Sequence, residues 1–303
     1  MPERSRASNK TPVPPGLLVV DKPAGMTSHD VVSRVRRIMR TRRVGHAGTL
    51  DPMATGVLVL GLERATKLLG HLALDTKAYL ATLRLGASTT TDDAEGDVLS
   101  EVDASDVDEA AVREGVASLT GEIQQVPSSV SAVKVNGRRA HEVVRSGETV
   151  ELEARPVTVS RFDVLAVRRT ETTTELDVVV ECSSGTYVRA LARDLGEQLG
   201  VGGHLGELRR TRVGPFGLAT ARTLDQLEQA PGLSLDLDRA VSTAFTRWDV
   251  DGTQARALSH GQAIPAAGLD GTYGVFGPEG TALALVREQG HRAKPVLVLA
   301  PAG

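Results

Sequence analysis

Residues 45–61 read GHAGTLDPMATGVLVLG, and Asp51 sits in the middle of them. On its C-terminal side the run Val57-Leu58-Val59-Leu60 carries no polar residue, which predicts a wholly buried strand. On its N-terminal side lies a turn-rich stretch with one histidine, His46, and with Gly45 and Gly48 to permit tight backbone. A carboxylate beside a core strand costs free energy unless it is paired or does chemistry. Asp-Pro also starts turns. The fragment alone supports both readings.

Upstream, GLLVVDKPAGMTSHD (16–30) predicts a short strand, a Lys-Pro turn and Ser28 as a helix N-cap. Apolar residues at 31, 32, 35, 38 and 39 then fall on one face of an amphipathic helix. The rest of that segment carries Arg34, Arg36, Arg37 and Arg40, with Arg42 and Arg43 just beyond. Such a density is either a solvated face or a phosphate-binding one. Residues 1–15 are polar and proline-broken, as a disordered arm would be.

Downstream, KAYLATLRLG (77–86) alternates as a strand should, and TDDAEGD (91–97) is a polar turn without the spacing of a calcium loop. Residues 107–120 suggest a helix. Residues 124–156 form a long basic insertion with Lys134, Arg138, Arg139 and Arg145. TELDVVVEC (174–182) is a strand, and Val188, Leu191, Ala192, Leu195 and Leu199 recur at helical spacing after it. The pattern resets near residue 240. The short strands YGVFG, ALALVRE and KPVLVLA then predict a small β-rich appendage over 245–303.

The 303 residues suffice for a large domain plus a small one, and 41% hydrophobic with 24% charged residues is ordinary globular composition. A net charge of −3 conceals a strong asymmetry. Residues 1–70 hold twelve Lys or Arg against five Asp or Glu, whereas residues 91–115 hold ten acids and one base. A basic face is therefore compatible with the total. The single cysteine, Cys182, excludes an internal disulfide and a cysteine-rich zinc site. With no secretory signal and no apolar run of membrane length, a soluble cytoplasmic protein is expected.

Several common signatures fail. GVGGHLG (200–206) has Leu205 where a dinucleotide fingerprint needs its third glycine. GVLVLGLER lacks the Lys-Ser/Thr of a P-loop, HEVVR lacks the second histidine of a zinc-protease helix, and no Gly-x-Ser-x-Gly is present. Nothing implies a metal or other cofactor. What remains is a scatter of polar residues on strand-like or helix-edge segments: His46, Asp51, Tyr79, Tyr187 and Arg189.

Here the blocks become specific. GLLVVDKPAGMTSHDVV, RVGHAGTLDPMATGVLVLGLERATK, KAYLATLRLG, QVPSSVSAVKVNGRRAHEVVRSG and CSSGTYVRALARDLGEQLG occur in this order. The chain, over residues 16–225, resembles the TruB family of tRNA pseudouridine synthases. The resemblance implies an α+β fold, the pseudouridine synthase fold, with a mixed, mostly antiparallel sheet flanked by helices and a cleft across its middle. It assigns residues 16–240 to the catalytic domain and 124–156 to a mobile thumb closing on the T arm. It implies isomerisation of a T-loop uridine of tRNA (tRNA position 55) to pseudouridine, by base flipping and without a cofactor.

Residue by residue, Asp51 matches the family's catalytic aspartate and Arg189 the arginine that pairs with it. Tyr79 matches the tyrosine stacked on the extracted base. Tyr187 and Leu208 match pocket-lining positions, His46 the residue that fills the gap left in the T loop, and Lys22 and Lys67 basic positions near the cleft. Lys134, Arg138, Arg139 and Arg145 fall in the RNA-gripping thumb. Physically, opening a glycosidic bond without water needs a carboxylate near C1′, C2′ or C6 of the target nucleotide, as nucleophile or as base. A guanidinium beside it offsets the cost of burial, and an aromatic ring suits a flipped pyrimidine. The segment 245–303 does not visibly match a full PUA domain, so a shortened or divergent RNA-binding domain is expected there. The tRNA is the expected partner, with no obligatory protein partner and a monomeric state. The rival readings are a guide-RNA-dependent pseudouridine synthase and a tRNA-folding module without catalysis.

Overall fold

The computed structural model describes residues 12–72, 76–129 and 152–302, and the backbone of two short strands in the remaining internal stretch. The side chains of Lys134, Arg138 and Arg139, and all of Arg145, lie outside the described residues, as do residues 1–11 of the expected arm at 1–15, whose Val13 packs against the core of Leu18 and Val20.

The chain opens with β1 (Gly16–Lys22), α1 (Ser28–Ile38), β2 (Val44–Ala47), β3 (Thr55–Leu62), a 3-10 turn (Glu63–Leu68) and α2 (Leu69–Leu72). It continues through β4 (Lys77–Leu85), β5 (Ala87–Thr89), β6 (Val98–Glu101), α3 (Glu109–Ser118), β7 (Gly121–Gln125), β8 (Lys134–Val135) and β9 (Arg138–Arg139). Then come β10 (Arg155–Arg169), β11 (Thr174–Cys182), α4 (Val188–Gln198), β12 (Gly203–Val213), β13 (Phe216–Gly217) and β14 (Leu235–Asp236).

One large sheet runs β14-β1-β3-β12-β4-β11-β10-β7, with β2 added beside β3 and β13 beside β12. Every pairing in it is antiparallel except β3 with β12, which meet only at Arg209↔Thr55 and Arg210↔Gly56. The sheet is thus mixed and mostly antiparallel, as the resemblance implied, and this short parallel contact lies at its middle. Gly56 makes the contact feasible. Its φ is +99°, and a Cβ there would fall 2.1 Å from the Arg210 carbonyl oxygen.

The unbroken apolar run of β3 follows from burial on both faces. Val57 and Val59 join Leu17 and Val19 in one core, while Leu58, Leu60 and Leu62 join Leu18 and Val20 in another. The second core is closed by Val31, Val32 and Val35 of α1 and by Leu224 and Leu227 of the helix Leu224–Gln229. Ser28 does not cap α1. Thr27 does, in a capping box with Asp30, which frees the Ser28 hydroxyl for a different bond.

On β4 and β11 only one face is covered, so alternation returns. Tyr79, Ala81 and Leu83, with Leu176, Val178 and Val180, pack against Val112 and Val116 of α3 and Leu191 and Leu195 of α4. The opposite face is open and laced with ion pairs such as Arg84–Glu175 and Arg212–Glu181.

The last residues form a five-stranded sheet in which Thr272–Phe276, Ala282–Gln289 and Arg292–Val298 make a meander, edged by Arg247–Asp249 and Ile264–Pro265. It is not held by a linker alone. Phe276, Ala282, Leu285 and Leu299 enter the same core as Leu17, Val19 and Val57, and Arg64 donates to the Leu299 carbonyl at 2.7 Å.

Candidate active site

The loop between β2 and β3 carries Asp51, and its neighbours are fastened from three sides. Ser28 Oγ accepts from the Leu50 amide at 2.9 Å and donates to its carbonyl at 3.1 Å. Lys22, fully buried at the end of β1, donates from Nζ to the carbonyls of Pro23, Met26 and Pro52. Burial pushes its ammonium pKa below the usual lysine value, and Asp51 nearby opposes that shift. Arg210, 1% exposed, reaches from β12 to the carbonyls of Val57 (2.7 Å), Gly48 (3.0 Å) and Thr49 (3.3 Å). With its flanks pinned, the loop presents the Asp51 carboxylate at 37% side-chain exposure.

That carboxylate meets Arg189, the second residue of α4, at 3.1 Å from Nε to Oδ2. The guanidinium is 7% exposed and is shared: Nη1 also lies 3.1 Å from Asp93 Oδ2 and donates to the Thr91 carbonyl at 2.8 Å. Asp93, 4% exposed, is steadied in turn by the Thr91 hydroxyl and the Glu95 amide on its other oxygen. Glu95 stands at the rim. Partial burial raises its carboxyl pKa, and the charges of Asp93 and Asp51 raise it further.

Tyr79 is 7% exposed on β4, opposite Arg210 on β12. Burial raises its phenol pKa, and Arg210 partly offsets this by charge and hydrogen bonding, while Asp51 adds to it. Tyr187 caps the start of α4 through its backbone. Its amide donates to Gln125 Oε1 at 2.8 Å, and its carbonyl accepts from Gln125 Nε2 at 3.1 Å. Leu208, 9% exposed, packs in the Tyr79 core and also lines an open cleft of about 610 Å³. That cleft adjoins the site through Met53, Thr55 and Arg209; Asp51, Tyr79 and Arg189 are not among its walls.

Asp51, Arg189, Tyr79, Leu208 and Lys22 therefore belong to one region at the middle of the sheet. His46 lies on β2 with its ring edge-on to His29 at 5.6 Å, and its buried Nδ1 has no hydrogen-bond partner among the described residues. Burial and the neighbouring His29 lower its pKa. Lys67 is placed elsewhere. It is exposed on the 3-10 turn that follows the far end of β3, while Asp51 precedes the near end, so β3 itself separates them.

Sequence reasoning missed Asp93, Arg210, Glu95 and Gln125. Asp93 stands in the segment 91–97 that reads as a plain polar turn. Arg210 gives no periodic signal because β12 is bulged at Leu205/Glu207 and Arg210/Arg212, which shifts its side-chain parity twice.

Compared with known proteins, residues 36–188 match the model described as the TruB family pseudouridylate synthase N-terminal domain. The chain belongs to the TruB family. Residues 189–241 match the family's tRNA pseudouridylate synthase B C-terminal domain, and residues 245–300 the model described as tRNA pseudouridine synthase II, C terminal. Curated relatives include the tRNA pseudouridine synthase B of Nocardia farcinica, 61% identical over 100% of this chain and 99% of that protein. The enzyme of the same name from Rhodococcus jostii is 61% identical over 95% of this chain and 94% of the relative. Among solved structures, a Cbf5-Nop10-Gar1 complex matches with TM-score 0.71 at 27% identity, covering 94% of this chain and 85% of that one. As a TruB-family member the protein is a pseudouridine synthase, an isomerase.

Proposed function

We propose that this TruB-family enzyme isomerises a uridine in the T loop of tRNA to pseudouridine, with Asp51 as its catalytic carboxylate. The observation that carries the reading is the shared guanidinium: Arg189 stands 3.1 Å from both the half-exposed Asp51 and the buried Asp93. One carboxylate is locked as a counter-ion, and the other faces the solvent, where substrate arrives. Tyr79 and Leu208 beside them form an apolar wall suited to a pyrimidine taken out of its stack.

The chemistry balances without a co-substrate. The N1–C1′ bond breaks, the uracil turns, C5 bonds to C1′, and the proton leaving C5 is matched by one gained at N1. Asp51 acts on the sugar side, as a nucleophile at C1′ or as a base at C2′. The Tyr79 phenol, kept protonated by burial, handles the base-side proton. His46 enters the gap the base leaves, Tyr187 lines the pocket, and the basic residues of 124–156 hold the RNA backbone as a thumb.

The enzyme works as a monomer in the cytoplasm, with residues 16–240 as the catalytic domain and 245–303 as an RNA-binding appendage. None of the described helices is long and apolar enough to cross a membrane. The rival guide-RNA-dependent mode is less favoured: relatives 61% identical are named tRNA pseudouridine synthase B, whereas the structure that is a complex of several proteins matches at 27%. The test is incubation of the protein alone with unmodified tRNA, followed by mapping of pseudouridine. Modification confined to the T loop is expected; its absence without an added guide would overturn the reading.

A further inference from the structure

The arginines that follow Ser28 are not spread around α1. Its buried stripe, Val31, Val32 and Val35, faces the core, while His29, Arg36, Arg37 and Arg40 occupy the exposed side and Arg42 and Arg43 extend it past the helix end. This band starts at the catalytic loop, because Ser28 is bonded to both backbone groups of Leu50. It ends about 18 Å away at Arg40, at a rise of about 1.5 Å per residue. The chain then returns through β2, which brings His46 against His29 and closes the band onto the site again.

Most of these cations have no anion of their own. Arg34 is consumed by Glu228 at 2.6 Å and Arg36 donates to the Val44 carbonyl, but Arg37, Arg40 and Arg42 form no ion pair among the described residues. Arg43 reaches Glu63 only at 3.9 Å and stays 78% exposed. Of the acids beside the band, Asp30 is engaged in the Thr27 capping box, Glu63 accepts from the Thr41 hydroxyl, and Glu228, already paired with Arg34, also feels the charge of Arg37. A helix C-terminus favours a cation or two; it does not account for a cluster that continues beyond the last turn. Arg40 also holds φ at +52°, a backbone that ordinarily selects glycine or asparagine. Like charges gathered without counter-ions repel one another, and phosphodiesters relieve that repulsion with the fork geometry that guanidinium groups fit.

We infer that the band formed by Arg37, Arg40 and Arg42 is a second RNA-binding surface, which grips the phosphate backbone of RNA flanking the target nucleotide. It rests on the proposed tRNA substrate, and it acts on affinity rather than on bond-making.

The test compares the full-length protein with an Arg37→Gln/Arg40→Gln/Arg42→Gln variant and a matching triple Lys variant. Filter binding of unmodified tRNA is measured across a salt series, with multiple-turnover tritium release from C5-labelled tRNA beside it. The Gln variant should bind about ten-fold or more weakly, and its log K against log salt slope should be shallower by about 2. The loss should appear in Kd and KM, and the Lys variant should recover most of the slope. Arg42→Gln alone, in a loop, should lower the slope by about 1. A folded Gln variant with parental Kd and slope would overturn the inference and return the band to a solvated face. Salt-sensitive binding through the band without tritium release by the parent would instead refute the proposed activity and leave the surface standing. No tRNA binding by the parent would refute both.

Discussion

Arg189 is the residue on which two carboxylates depend, and they differ in freedom. Asp51 is open and attached through Nε; Asp93 is buried and attached through Nη1. Removing the buried charge while keeping its shape should let the guanidinium turn, because Asp93 is its fixed anchor. Asp93→Asn is expected to lower turnover on the order of 10- to 100-fold, since small displacements of an aligned group cost that much. The affinity for tRNA should stay within about three-fold, phosphate contacts elsewhere dominating it. Tritium release and filter binding on one preparation separate the two effects, and parental turnover in a folded Asp93→Asn protein would contradict the anchoring role. At this scale the sequence was only half legible. Asp51 stood out because a carboxylate at the door of a buried strand needs a reason, and a family pattern supplied the rest. Asp93 was hidden because its partner lies 96 residues away along the chain, in α4, and no local spacing announces that.

Elements were more legible, since periodicity reports which faces are covered. The five apolar positions of 31–39 settle into α1 with Val31, Val32 and Val35 buried, and β11 alternates throughout. Register was not legible: the parallel contact of β3 with β12 joins segments more than 150 residues apart and spans two residue pairs. It depends on Gly56, where any side chain would be forced into the Arg210 backbone and into an unfavourable φ. Gly56→Ala should therefore destabilise the protein by at least about 3 kcal/mol, summing strain and overpacking. Chemical denaturation checks this, and a loss under about 1 kcal/mol would show that the two halves of the sheet can separate freely. Activity should fall with stability here, because the same contact lets Arg210 hold the carbonyls of Gly48 and Thr49.

Over the whole molecule, the C-terminal segment has a core of its own around Tyr273 and Val275, and the core it shares with β1 and β3 should couple its unfolding to that of the rest. Phe276, Ala282, Leu285 and Leu299 complete the underside of β1 and β3. Melting should be a single transition, with the fluorescence of the sole tryptophan, Trp248 in the C-terminal sheet, coinciding with far-ultraviolet circular dichroism. Phe276→Ala should lower stability by about 3–5 kcal/mol and shift both signals together; separated transitions would contradict the shared core. The seam also sets a pH dependence. His71, edge-on to Phe245 at 6.5 Å, has its pKa pushed below 6.5 by burial and by Arg287. His46 is displaced in the same direction. As pH falls below about 6.5 the unfolded chain takes up these protons first, so stability present above that value is lost as pH drops toward the folded pKa. The thermal midpoint should be level from about pH 8 to 7 and decline below 6.5, with a smaller decline in His71→Gln.

The central claim is that Asp51 carries the chemistry, and Asp51→Asn tests it most directly, since it removes charge and nucleophilicity while nearly keeping shape. Multiple-turnover tritium release from C5-labelled tRNA is run beside filter binding on the same folded protein. Pseudouridine formation should fall to background while most tRNA affinity survives. Near-parental tritium release by a folded, tRNA-binding Asp51→Asn protein would contradict the account and leave Asp51 as a turn residue ahead of a buried strand.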